Sequence, residues 1–243
     1  LTILTALTLF GLFAANDSSS AARTLSNFTA AEKAFIRAHP KIKIGIDADY
    51  APYSFLDSTR NFAGVAPDFI ATIQSLTGLE FEPVPGLSWP EIVAGAKNQS
   101  LDVIATVVRT PQRDAFLNFT QIYIPTPLVI MTRKGDLGIL GAPDLDGKSV
   151  ALVKGYSSSQ RVLVEHPGII PLNVATPLEG LQAVATGRAD AYVGVIGVNA
   201  HLARSQGLDN LGIAAHYDLR TNGQRFGVRK DWPELAAILD KAV

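Results

Sequence analysis

The sequence predicts an α/β protein of two lobes, and three observations carry that expectation. Apolar extended segments alternate with helical ones at short intervals, the pattern of a largely parallel sheet flanked by helices. The alternation runs twice, once before and once after the region of Gly135. Two more extended stretches, residues 127–134 and 221–230, are placed to carry the chain from one lobe to the other and back. Such crossings make a hinge, because a few residues absorb the rotation between lobes. The expected division is residues 1–24 as an export or truncated anchor segment, 25–133 as the first part of lobe one, 134–221 as lobe two, and 222–243 returning to lobe one. The chain stops in or just after a helix without a natural terminator, so a C-terminal continuation is expected.

The elements follow in order. FTAAEKAFIRAHP predicts a short amphipathic helix with Thr29 as N-cap, Glu32 three residues on as its capping-box partner, and Pro40 beyond its end. KIKIGID is a strand, residues 47–57 a loop with Ser58 and Thr59 at its turn, and residues 66–77 a helix ended by Gly78. LEFEPVP is the next strand, after which Trp89 and Pro90 open a helix leading into LDVIATVV. Residues 103–108, VIATVV, are apolar apart from one threonine, as suits a buried strand; TPQR breaks it, and FLNFTQIY and PLVIMTRK resume extended structure up to a Gly-Asp turn. Beyond it, DLDGKSVALVKG approaches and forms a strand, SSSQRVLVEHP is a helix, GIIPLNVA a strand, PLEGLQAVATGR a helix, ADAYVGVI a strand, and PELAAILDKAV the last helix.

Composition narrows the function classes. With 47% hydrophobic and 18% charged residues and a net charge of -1, the chain is globular and offers no basic surface for nucleic acid. The absence of cysteine excludes thiolate metal sites, thiol nucleophiles and disulfides. Enzymatic readings find little support. GYSSS misses the G-x-S-x-G elbow, and His39, His166, His201 and His216 occur singly, without metal-ligand spacing. Asp68 and Asp190 read as structural polar residues at element boundaries. Neither catalytic residues, nor a cofactor, nor a metal is expected. Residues 1–15 are free of charge and precede the polar NDSSSAARTLSN; this run is shorter than the roughly 18 apolar residues of a membrane span and fits an export signal better.

Arg113, after the strand of residues 103–108, is the leading binding candidate. Its planar, permanently charged guanidinium presents two parallel donors to a carboxylate, which lysine cannot do. Arg109, four residues earlier, is the rival and reads as solvated. In the loop DADYAPYSF, Tyr50, Tyr53 and Phe55 form an aromatic wall, with Phe55 as readily explained by the core. Ser157 and Ser158 fall at a helix start, where free N–H groups and the dipole favour an anion, although an ordinary N-cap explains them equally well.

The order DADYAPYSF, GVAPDF, LDVIAT, TPQR, FLNFTQIY and GRADAY resembles the type II periplasmic solute-binding family, the two-lobed Venus flytrap proteins, over almost the whole chain beyond the leader. The resemblance implies a periplasmic-binding-protein-like fold with two hinge crossings and a ligand cleft between the lobes. It implies that Tyr50 stacks on the ligand with Tyr53 nearby, that Arg113 grips a carboxylate with Thr106 beside it, and that Ser157 and Ser158 face Arg113 across the cleft. There is one departure. Where amino-acid-binding relatives place an aspartate for the ligand's ammonium, five residues after Asp190, this chain has Val195. A valine cannot compensate a cation, so the expected ligand is a carboxylate without an α-ammonium group, or none.

The lead-in helix, the missing aspartate and the end of the chain resemble flytrap domains fused to histidine kinases or diguanylate cyclases. On that resemblance the chain is an exported, periplasmic ligand-sensing domain. Its partners would be a small carboxylate and, through fused or truncated segments, the inner membrane, with homodimerisation through a downstream signalling domain. Two alternatives stay open: a free solute-binding protein of an ABC importer, and the regulatory lobes of a membrane-bound lytic transglycosylase.

Overall fold

The computed structural model describes residues 27–217 and 223–243. The expected export segment lies outside them, and among the described residues no helix is long and apolar enough to cross a membrane. In chain order the strands are β1 (Lys41–Gly45), β2 (Asp49–Tyr50), β3 (Ser54–Leu56), β4 (Phe62–Ala63), β5 (Glu80–Val84), β6 (Val103–Val107), β7 (Leu117–Phe119), β8 (Ile124–Pro125), β9 (Leu128–Arg133), β10 (Ser149–Val153), β11 (Ile170–Val174), β12 (Ala191–Val195), β13 (Leu211–His216) and β14 (Gly223–Arg229). The helices are α1 (Ala30–Ala38), α2 (Val65–Thr77), α3 (Trp89–Lys97), the single turn α4 (Pro111–Asp114), α5 (Ser157–Glu165), α6 (Pro177–Ala185), α7 (Ile196–Ser205) and α8 (Pro233–Ala242).

Two sheets form the two lobes. The first runs β5-β1-β6-β14-β7, with β8 paired to β14, and the second runs β11-β10-β12-β9-β13. Each is built on the same unit, a central strand that sends the chain through one helix to the edge strand and through a second helix to its other side. In lobe one this is β1, α2, β5, α3, β6; in lobe two it is β10, α5, β11, α6, β12. Both units are parallel. The sheets as wholes are mixed rather than largely parallel, because β14 runs antiparallel to β6 and β7, and β9 runs antiparallel to β12 and β13. These reversed strands are the first that each sheet receives from a crossing. The continuous apolar runs of β6 and β12 are buried at every position, as central strands covered on both faces require.

The crossings differ from the sequence expectation in position. β9 lies wholly in the second sheet, so the chain changes lobe near Thr126 and Pro127, before residue 128 rather than across 127–134. The reason is burial: the first five residues of β9 are buried and need sheet partners on both edges, which β12 and β13 supply. The return falls between β13 and β14, and β14 lies in the first sheet. Beside the crossings, on the lobe-one side, β8 pairs with β14, Ile124 opposite Gln224 and Pro125 opposite Gly223.

α1 carries the expected capping box. The Thr29 hydroxyl accepts from the Glu32 amide at 3.2 Å, and the Glu32 carboxylate accepts from the Thr29 amide at 2.7 Å. Glu32 also receives Lys241 of α8 at 2.7 and 2.8 Å, which ties the first described helix to the last. Beneath them Phe28, Phe35, Ile42, Ile44, Phe226, Leu235 and Leu239 belong to one core. The β2–β3 hairpin reaches the other way: Tyr50, with Tyr53 against it, packs among Leu128, Val195 and Val198 in the core of lobe two.

Candidate functional site

In open α/β sheets ligands bind outside the carboxyl ends of strands, where the strand order reverses. Each sheet here reverses at the strand that opens its parallel unit, β1 in the first and β10 in the second. The carboxyl end of β1 leads to Asp47 and Tyr50, and that of β6 to Val108 and Arg113; from the second sheet β10 leads to Tyr156, Ser157 and Ser158, and β12 to Val195 and Val198. All of these line one cavity between the lobes, together with Trp89, Thr106, Tyr192 and Gln224. The cavity holds about 40 Å³, space for on the order of one to three water molecules. The clamshell is closed on its own side chains.

Arg113 sits at the centre of that closure. It is buried at 7% exposure, and its backbone is set by α4, whose N-cap Thr110 accepts from the Arg113 amide at 3.3 Å. The guanidinium lies over the Trp89 ring, 5.0 Å from its centroid, and donates to the carbonyl of Val108 at 2.7 Å and to that of Gly155, in lobe two, at 3.3 Å. Burial pulls its pKa down to about 10. The acceptors it finds are neutral carbonyls, which offset the desolvation of a cation less well than an anion does. Arg109 lies outside the cavity, exposed and paired with Asp114 at 2.8 Å, in keeping with a solvated role.

A second bridge between the lobes joins Asp47 and Tyr156, whose hydroxyl donates to the carboxylate at 2.5 Å. The Asp49 amide donates to the other carboxylate oxygen at 3.1 Å. Burial pushes the Asp47 carboxyl up to about 6, against those two hydrogen bonds. Burial likewise raises the phenols of Tyr50, Tyr156 and Tyr192, and the neighbouring Asp47 charge adds to each. The Tyr156 ring meets Trp89 and Tyr50 edge-on, at 5.7 and 6.1 Å between centroids. The Tyr50 hydroxyl accepts from Gln224 at 2.9 Å, and Gln224 also donates to Thr126 at 3.3 Å, so this tyrosine is tied to both hinge crossings.

Of the residues singled out in the sequence, Tyr50, Thr106, Arg113, Ser157, Ser158 and Val195 are brought together around the cavity. Tyr53 is not at its wall; its ring lies 5.8 Å from that of Tyr50 and its hydroxyl abuts Gly197. Thr106 is buried, and its hydroxyl has no hydrogen-bond partner among the described residues. Ser157 and Ser158 are the first two residues of α5, whose N-cap is Tyr156. That phenol reaches away to Asp47 and gives the helix start no side-chain cap, so Ser157 and Ser158 do not act as caps there. Val195 ends β12 and serves as the backbone N-cap of α7.

Sequence reasoning missed Asp47, Trp89, Tyr156, Tyr192 and Gln224. Asp47 and Tyr156 had a usable signal, since each follows the carboxyl end of a strand that begins a β-α-β unit. Trp89 and Gln224 had none, because each joins the site from an element whose neighbours in sequence face elsewhere. Asp47 also changes the charge balance: the cavity that Val195 lines contains a carboxylate, supplied by lobe one.

The family model for bacterial extracellular solute-binding proteins, family 3, matches residues 42–243. The virulence sensor protein BvgS of Bordetella pertussis is 26% identical over 89% of this chain, which spans 17% of that relative's length. The L-cystine-binding protein TcyA of Bacillus subtilis is 25% identical over 61% of the chain and 55% of its own length. Among solved structures, the periplasmic VFT2 domain of Bordetella pertussis BvgS superposes with a TM-score of 0.80 at 26% identity, covering 88% of this chain and 92% of that domain.

Proposed function

The chain belongs to the bacterial extracellular solute-binding proteins, family 3, and from that premise we propose that it is a periplasmic ligand-sensing domain which binds a small carboxylate between its lobes and reports closure to a membrane signalling protein. One observation carries the ligand class: the buried Arg113 cation, stacked on Trp89 beyond the carboxyl ends of strands of the first sheet, has only carbonyl acceptors among the described residues. A solute carboxylate would give it a charged, bidentate partner, with the Thr106 hydroxyl and the uncapped start of α5 beside it. Val195 leaves an α-ammonium group without a counter-charge at that point, which favours acids lacking one. The likeness to BvgS, a sensor of which this chain spans a small part, supports the signalling role. Its output domain, its route to the membrane and its dimerisation belong to the same proposal.

Signalling then follows from linkage. A solute that binds the closed form better shifts the open-closed equilibrium by its difference in affinity, and the paired crossings at β8 and β14 transmit the rotation to α8. The runner-up is a free binding protein of an importer, favoured by the likeness to TcyA. A thermal-shift screen of the chain against amino acids and amine-free organic acids tests the reading. A ligand at about 100 times its dissociation constant adds roughly 2.7 kcal/mol, which is plain in such a scan. Stabilisation by amine-free acids is expected; stabilisation by α-amino acids alone would overturn the assignment of Val195 and favour the importer.

A further inference from the structure

Asp47 is an awkward residue to enclose. It is 6% exposed, it lines the same cavity as Arg113, and its two oxygens are met by the Asp49 amide and the Tyr156 hydroxyl. The titratable groups around it are the phenols of Tyr50, Tyr156 and Tyr192 and the carboxyl of Asp49. None brings a positive charge. The partner that closes the shell, Tyr156, belongs to the opposite lobe and must leave whenever the clamshell opens. A buried acceptor left without its donor is costly, so an occupied cleft needs a new donor at Asp47.

The segment that fills the cleft has the shape of an answer. The Gly155 carbonyl takes the donors of Arg113 and of Trp89, whose indole N–H lies 3.0 Å away. The next residue, Tyr156, lays an aromatic ring between Trp89 and Tyr50 and puts its hydroxyl on Asp47. An oxygen acceptor, an aromatic body and a hydroxyl thus occupy the positions of a carboxylate, a spacer and a donor. We infer that Gly155 and Tyr156 are the protein's stand-in for its solute, and that the cleft selects hydroxylated aromatic carboxylic acids, with the carboxylate at Arg113 and the hydroxyl at Asp47. This rests on the carboxylate-binding reading of Arg113 and adds the second pole to it. Tyr156 is then a specificity-determining residue, because a solute competes with its hydroxyl for Asp47.

Calorimetric titration of the 243-residue chain with two matched pairs of acids tests this: benzoate against 4-hydroxybenzoate, and phenylacetate against 4-hydroxyphenylacetate, two lengths of spacer. A hydrogen bond to a charged acceptor corresponds to about 10- to 100-fold in affinity. In at least one pair the hydroxylated acid should bind about tenfold or more tightly than its parent. The near-isosteric Asp47→Asn should reduce that preference to about twofold. Tyr156→Phe, which keeps the ring and removes the competing hydroxyl, should tighten the hydroxylated acid several-fold. Equal binding within both pairs, a preference that survives Asp47→Asn, or no binding of any acid to either wild type or Tyr156→Phe would overturn the inference. Arg113→Ala separates the two readings. If it abolishes binding while neither pair shows a preference, only the stand-in fails; if hydroxylated acids bind it undiminished, the carboxylate grip fails.

Discussion

Arg113 of lobe one donates to the main-chain carbonyl of Gly155 in lobe two at 3.3 Å, and the same carbonyl accepts from Trp89 at 3.0 Å. One oxygen thus holds two side chains of the opposite lobe, and the closed cleft is fastened where a ligand carboxylate would sit. Replacing the guanidinium removes the proposed grip on a solute together with one of the two hydrogen bonds to the Gly155 carbonyl. Arg113→Ala should weaken binding of any carboxylate ligand by at least about 100-fold, from the loss of charge-assisted hydrogen bonds, while circular dichroism shows an intact fold. Unchanged affinity by calorimetry would sink the site.

Asp47 makes stability depend on pH. Burial first, and then the Asp49 charge, raise its carboxyl from 3.8 to about 6, while the hydrogen bonds from Tyr156 and the Asp49 amide oppose the rise. The folded, closed chain therefore prefers the protonated form. That contribution is full below the unfolded value near pH 4 and is lost as pH rises through about 6. Asp47→Asn, which cannot ionise, should gain on wild type by up to about 3 kcal/mol between pH 4 and pH 7. Urea unfolding at four pH values measures the difference, and a flat profile contradicts it.

The pair Glu32 and Lys241 fastens α1 to α8, the carboxylate almost fully buried and the ammonium 38% exposed. Lys241→Ala leaves that carboxylate with the Thr29 amide as its donor among the described residues and should cost on the order of 1–3 kcal/mol in chemical unfolding. A double-mutant cycle with Glu32→Gln should return a coupling above about 0.5 kcal/mol. Strict additivity would mean that the two helices are held by their apolar faces only.

Gly197, in the first turn of α7, has no side chain because the Tyr53 hydroxyl occupies the space; a Cβ there would overlap it. Tyr53 comes from the β2–β3 hairpin of lobe one, so the contact spans the closed cleft. Gly197→Ala should push the hairpin off lobe two and shift the chain toward an open shape. Small-angle scattering would read this as a larger radius of gyration, and an unchanged profile would show that the hairpin yields without opening the lobes.

Local features were legible in the sequence, and for a physical reason. The Thr29–Glu32 capping box, the helix ended by Gly78 and the buried runs of β6 and β12 depend on contacts or periodicities within a few residues. The crossing point was misplaced because PLVIMTRK is equally apolar as a hinge segment or as an interior strand, and only its neighbours β12 and β13 decide between them.

The site divides along the same line. Arg113 and the serines opening α5 were singled out from their places beside recognisable elements, and Thr106, Tyr50 and Val195 from the resemblance of the residue order to the flytrap family. What the tertiary structure alone decided is what those residues touch. Tyr156 meets Asp47 across 109 positions, Trp89 meets Gly155 across 66, and Gln224 meets Tyr50 across 174. The first two form only after the two sheets have folded and closed on one another, and the third only after β14 has returned to lobe one beside the β2–β3 hairpin. A residue's own neighbours set its backbone, but its partner in a cleft is set by the packing of the opposite lobe.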